Sequence, residues 1–77
     1  MARKVHRLSA LTVSRENRPG MYPDGAGLYL QVSRAGTRSW IFRYTLAGRT
    51  RDMGLGSARD VSLAEARTKA LEARKLT

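Results

Sequence analysis

Leu28-Tyr29-Leu30-Gln31-Val32 decides the fold. Leu28, Leu30 and Val32 alternate with Tyr29, Gln31 and Ser33, and a period of two belongs to a strand with one buried face. Downstream, Arg34-Ala35-Gly36-Thr37-Arg38 interrupts the alternation as a loop. Ser39 to Leu46 resumes it, with Trp40, Phe42 and Tyr44 on one face and Ile41, Arg43 and Thr45 on the other. Ala47-Gly48 reads as a tight hairpin connection, glycine supplying the positive φ that such turns need. A third strand follows, in which Met53 and Leu55 oppose Thr50, Asp52 and Gly54. Short connections between adjacent strands predict an antiparallel meander over residues 25–56.

Beyond the meander the period changes. Ser62 followed by Glu65 is a capping-box pattern, in which hydroxyl and carboxylate each serve the other residue's amide. Val61 and Ala66 stand at the staple positions around it, and Leu63, Ala66, Ala70 and Ala73 share a helix face. The small alanines let that helix lie close on a sheet, with Arg67 and Arg74 expected to snorkel to its margins. The helix is expected over residues 62–77, and no Gly or Pro stop follows Leu76-Thr77, which reads as a cut. Upstream, residues 1–24 read as a basic lead-in. Ser9 is placed to cap a short turn through Leu11 and Val13, with Leu8 as an apolar anchor. Pro19-Gly20 ends anything helical, and Pro23-Asp24-Gly25-Ala26-Gly27 is dense turn chemistry. The expected architecture is one α+β domain over residues 1–77, a three-stranded antiparallel β-sheet packed against a C-terminal α-helix.

The charge says what such a domain faces. Among 77 residues there are 15 Lys+Arg and 6 Asp+Glu, a formal net charge of +9. Between Gly25 and Arg51 stand Arg34, Arg38, Arg43, Arg49 and Arg51 with no acid, and the lead-in adds Arg3, Lys4, Arg7, Arg15 and Arg18. A merely solubilising surface does not need so large an excess on so small a chain. Arginine's planar fork suits phosphate and guanine edges, so nucleic acid is the favoured partner. A membrane surface fits poorly, because the helix mixes its basic residues with acids. One sheet face, Leu28, Leu30, Val32, Trp40, Phe42, Tyr44, Met53 and Leu55, is the natural cover for the helix. The open face then carries Tyr29, Gln31, Ser33, Ile41, Arg43, Thr45, Thr50, Asp52 and Gly54, a polar surface of a kind that enters the major groove. Asp52 sits awkwardly there, to accept from a cytosine amino group, to orient Arg43, or to argue against docking. The Trp40, Phe42 and Tyr44 row reads as core rather than as a base-stacking platform, and Tyr29 is the better contact.

Enzymatic readings fare badly. The chain has no cysteine and a single histidine, His6, with no carboxylate near it in sequence. Asp24, Asp52 and Asp60 are dispersed and read as structural rather than as a metal cluster. Gly25-Ala26-Gly27 lacks the lysine of a phosphate-binding loop and opens a strand, and Met53-Gly54-Leu55-Gly56 reads as a strand end. No apolar run approaches the ~20 residues that span a bilayer, and the start carries no secretory pattern. No catalytic residue, cofactor or metal is expected, and composition points to a soluble, intracellular, polyanion-facing module.

Four blocks carry a resemblance: Asp24-Gly25-Ala26-Gly27-Leu28-Tyr29-Leu30-Gln31-Val32, Ser39-Trp40-Ile41-Phe42-Arg43-Tyr44, Met53-Gly54-Leu55-Gly56 and Ser62-Leu63-Ala64-Glu65-Ala66-Arg67. In this order they resemble the N-terminal arm-type DNA-binding domain of prophage tyrosine integrases, the satellite-phage-like and pathogenicity-island branch, from about Leu8 to Leu76. The resemblance implies the same three-stranded sheet and helix, with the open face in the major groove of double-stranded arm-type sites. It implies that Tyr29, Gln31, Ser33, Arg43 and Thr45 face base edges while Arg34, Arg38 and Arg49 hold phosphates. Arg51 is turned inward by strand parity unless it snorkels. Longer members continue into a core-binding domain and an Arg/His/Tyr catalytic domain, so this chain is expected to be the isolated arm-binding part, not itself an enzyme. Implied partners are duplex DNA and other integrase protomers on it, with no membrane and no small-molecule substrate, in the nucleoid-associated cytoplasm of a bacterial host. Two alternatives stay open: a basic RNA-binding or ribosome-associated protein, marked by 2′-OH preference, and a protein-interaction module, marked by salt-insensitive association.

Overall fold

The computed structural model describes residues 8–76. Arg3, Lys4, His6 and Arg7 of the lead-in lie outside the described residues, as does Thr77. The chain runs through a short helix α1 (Ala10–Arg15), strands β1 (Gly20–Gly25), β2 (Leu28–Val32), β3 (Arg38–Leu46) and β4 (Arg49–Ser57), and a longer helix α2 (Leu63–Leu76). The strands form one antiparallel sheet in the order β1-β2-β3-β4.

The α+β architecture and the C-terminal helix are as expected, but the sheet has four strands rather than three. The added strand is β1, where the end of the basic lead-in meets the residues expected to be turns. Proline and glycine there are compatible with pairing because β1 is an edge strand, where a missing N–H can face away from the sheet. Gly20 to Pro23 pair with Val32 to Tyr29, and the register shifts between Pro23 and Gly25. Ala26-Gly27 then turns the chain with φ of 54° and 88°, and Ala47-Gly48 turns the β3–β4 hairpin with 52° and 77°. Positive φ at both central residues is the pattern of the I′ hairpin turn, whose twist matches that of its strands. At Gly27 the requirement is also one of space, since a Cβ would stand 2.6 Å from the Arg43 carbonyl oxygen.

Alternation buries the expected face. Leu28, Leu30, Val32, Trp40 and Phe42 form the core with Val61, Ala66, Ala70 and Ala73, and Tyr44, Met53, Leu55 and Leu63 are half-buried at its edge. Trp40 is fully enclosed, its Nε1–H donating to the Val61 carbonyl at 2.7 Å, so the indole ties the sheet to the approach of α2. The β4 pattern is blurred by an irregularity: Trp40 pairs with Gly56 and Ile41 with Gly54, leaving Leu55 without a partner of its own. The capping box forms as read, the Ser62 amide donating to Glu65 Oε1 and the Glu65 amide to Ser62 Oγ, each at 3.2 Å. Ser9 caps α1 by accepting the Thr12 amide at 3.1 Å.

Arg67 departs from expectation. It does not snorkel outward but turns to the buried Asp24, donating from Nε to Oδ2 and from Nη2 to Oδ1, both at 2.9 Å. Asp24 Oδ1 also accepts the Leu8 amide, and Arg67 Nη2 donates to the Leu8 carbonyl. One carboxylate thus joins the lead-in, the β1–β2 turn and α2.

Candidate nucleic-acid interface

The β-register sorts side chains to the two faces. Opposite the helix stand Met21 and Pro23 of β1, Tyr29 and Gln31 of β2, Ile41, Arg43 and Thr45 of β3, and Thr50, Asp52 and Gly54 of β4. Arg43, Thr45, Thr50, Asp52 and Gln31 are exposed, while Tyr29 and Ile41 are half-buried among their neighbours.

Strand lengths shape this surface. β2 pairs with β3 only from Arg38 to Phe42, whereas β3 and β4 remain paired out to Leu46 and Arg49. Four residues at ~3.4 Å each carry a two-stranded ribbon roughly 14 Å past the last β2–β3 pair. Such a ribbon is of a width that the major groove admits. Thr45 and Thr50 face each other on its open side, and Leu46 and Arg49 pair at its tip, both exposed.

At the root of the ribbon Arg43 is held from two directions. Its Nε donates to Asp52 Oδ1 at 2.9 Å and its Nη2 to Oδ2 at 3.4 Å, across the Arg43–Asp52 strand pair. Its guanidinium carbon lies 4.9 Å from the centroid of the Tyr29 ring, a cation–π distance. The hydrogen bond from Arg43 lowers the Asp52 pKa below the usual aspartate range, and the same bond raises that of Arg43. Of the three roles open to Asp52, orienting Arg43 is the one for which the structure shows a contact.

The remaining site residues are spread around this centre. Arg34 is exposed in the β2–β3 loop. Ser33 closes that loop, its Oγ accepting the Thr37 amide at 3.1 Å. Arg38, expected in the loop, is instead the first residue of β3; there it has the parity of Trp40 and donates from Nε to the Glu16 carbonyl at 2.7 Å. Arg49 and Arg51 are exposed on β4, and Arg51 has the inward parity expected of it but stands on the overhanging ribbon, opposite the half-buried Tyr44.

Comparison with known proteins decides the family. The family model described as the Arm DNA-binding domain matches residues 2–77. The chain belongs to that family. This arm domain is similar to the integrase of Shigella phage Sf6 and to the prophage integrase IntS of Escherichia coli strain K12, at 38% identity over 60 residues in each case. The aligned stretch covers 78% of the chain and 16% of each relative, so the arm domain spans a small part of the length of these curated relatives.

As a member of its family the arm domain is a DNA-binding domain. Among its described residues no three His, Cys, Asp or Glu side chains gather where a metal ion would bind, and no helix is long and apolar enough to cross a membrane. The Asp24–Arg67 link and the ribbon overhang escaped sequence reasoning. An arginine beside an alanine stripe was the available signal for the first, and the difference in strand length for the second.

Proposed function

We propose that the arm domain is the arm-site recognition module of a prophage-type tyrosine integrase, serving DNA integration and site-specific recombination. It reads duplex DNA by laying the open face of the sheet, ribbon foremost, into the major groove. The observation that carries this reading is the overhanging β3–β4 ribbon with Arg43 at its root, in a chain of this family. In this reading Arg43, Gln31, Tyr29 and Thr45 meet base edges, with Ser33 at the margin beside the loop it closes. Arg34 and Arg49 meet phosphates at the two ends of the site, and Arg38 joins them only through the nitrogens that Glu16 does not hold. Phosphate contacts set position and register, while base-edge contacts discriminate sequence. Other integrase protomers bound to the same DNA are its natural neighbours.

A salt series of fluorescence anisotropy with duplex DNA tests the reading. Neutralising about four to six phosphates gives a slope of log affinity against log salt of roughly −4 to −5. A flat slope, or tighter binding to an RNA duplex of the same sequence, overturns it in favour of a protein-interaction or RNA-binding module.

A further inference from the structure

Asp52 is an acid on the surface expected to approach a polyanion. Repulsion from phosphates makes that unfavourable unless the carboxylate does something a neutral residue does not. Its contacts are specific: it takes the Nε–Nη2 edge of Arg43 from the strand alongside, while the Tyr29 ring lies against the guanidinium. The pair is exposed on both sides, 40% and 47% of the two side chains, so it adds little to stability. Its effect is on geometry and charge. An arginine has a long side chain with many rotamers, and ordering it on binding costs free energy that pre-ordering removes.

We propose that Asp52 is a positioning residue for base recognition: with Tyr29 it holds the Arg43 fork so that the Nη1–Nη2 end is presented to a guanine edge. The inference rests on the sheet-face reading given above. The planar guanidinium has five N–H donors in a fixed fork. With the Nε edge occupied, the end of the fork pointing away from the carboxylate is the part left to reach O6 and N7 of guanine, the bidentate contact that distinguishes this base in the major groove. Asp52 also cancels the Arg43 charge locally. A free arginine at this spot would attract any phosphate; a paired one attracts little until a base edge offers two acceptors in the right plane. Asp52 therefore acts against non-specific binding as well as for the specific contact.

The test uses a duplex selected by the parent protein from a pool of randomised 20-base-pair DNA, together with a scrambled version and single-guanine substitutions of it. Four proteins are compared: the parent, Asp52→Ala, Asp52→Glu, and the double variant Arg43→Ala/Asp52→Ala, which has the parent's net charge. Circular dichroism melts establish that each is folded. In the parent, replacing the guanine that Arg43 reads weakens binding about 5- to 150-fold, the range for a bidentate base contact. Asp52→Ala is expected to lose most of that dependence on the guanine while binding the scrambled duplex more tightly, with a salt slope steeper by up to about one unit for the extra phosphate neutralised. Asp52→Glu, which can still accept from Arg43, is expected to restore part of the guanine dependence. A merely structural Asp52 would move neither the base dependence nor the slope. If Asp52→Ala discriminates as the parent does while the double variant loses the guanine preference, the positioning role is overturned and Arg43 stands as a reader without it. If the double variant also discriminates as the parent does, the sheet-face reading itself fails, and this inference with it.

Discussion

Among the described residues an aspartate–arginine pair stands on each face of the sheet, and the two pairs differ in their surroundings. On the covered face Asp24 is 1% exposed and accepts two hydrogen bonds from Arg67 and a third from the Leu8 amide. On the open face Asp52 is 47% exposed and accepts two from Arg43, one of them long. The chemistry is the same and the surroundings decide its consequence. A buried carboxylate without its partners is an uncompensated charge, so Asp24 at this depth depends on its hydrogen-bonded partners. An exposed pair gains little over hydration, so the Asp52 pair contributes little to stability and is available to orient Arg43.

The strongest test of this division lies with the covered face itself. Trp40→Ala removes the enclosed indole and its hydrogen bond to Val61, and is expected to cost ~3–5 kcal/mol, a large part of the stability of a small domain. Denaturant melts followed by circular dichroism measure this. A variant that melts like the parent but loses DNA affinity would invert the assignment of the two faces. The next effect in size belongs to Arg67→Ala, which takes two charge-assisted hydrogen bonds from the buried Asp24. It is expected to cost about 2–3 kcal/mol, less than the 3–5 of a fully enclosed pair because the Arg67 side chain keeps 28% of its exposure. Adding Asp24→Ala should recover part of the loss, since the double variant buries no carboxylate there. An Arg67→Ala variant of parental stability would make the two pairs equivalent and remove the distinction.

Much of this was legible in the sequence, and the failures have physical causes. Alternation in β2 and β3 marked the buried face because each has one covered side, and the Ser62–Glu65 pattern marked the helix start because capping is local. The β1 strand was hidden by Gly20, Pro23 and Gly25, residues that break strands in a sheet interior but are tolerated at its edge. The β4 pattern was softened by the unpartnered Leu55, which shifts parity midway. The Asp24–Arg67 pair joins residues 43 apart in sequence, and only the packing of α2 over the β1–β2 turn brings them together. In the candidate site, Arg43 and Tyr29 were placed correctly on the open face by parity. Arg38 was misplaced because the loop was drawn one residue too long, and its hold on the Glu16 carbonyl depends on where α1 packs.

The smallest effect is also the most direct measure of the open-face pair. Arg43 hydrogen-bonded to Asp52 lowers the Asp52 pKa, so in the folded arm domain the carboxyl should titrate below the ordinary aspartate value of about 3.9. A group with a depressed folded pKa contributes stability that is present above its unfolded value and lost as pH falls through the folded one. For Asp52 that window lies in the acid range, and its share of stability is slight because both partners are solvated. The informative observable is therefore the titration itself, followed by NMR through the Asp52 side-chain carboxyl carbon in the DNA-free protein. Arg43→Ala should return the Asp52 pKa toward the ordinary value, and raising the salt concentration should return it only partly, since a hydrogen bond is screened less than a distant charge. If Asp52 titrates at the ordinary value in the parent, the pair does not persist in solution. Arg43 would then be an unheld arginine that must be ordered at the moment of binding.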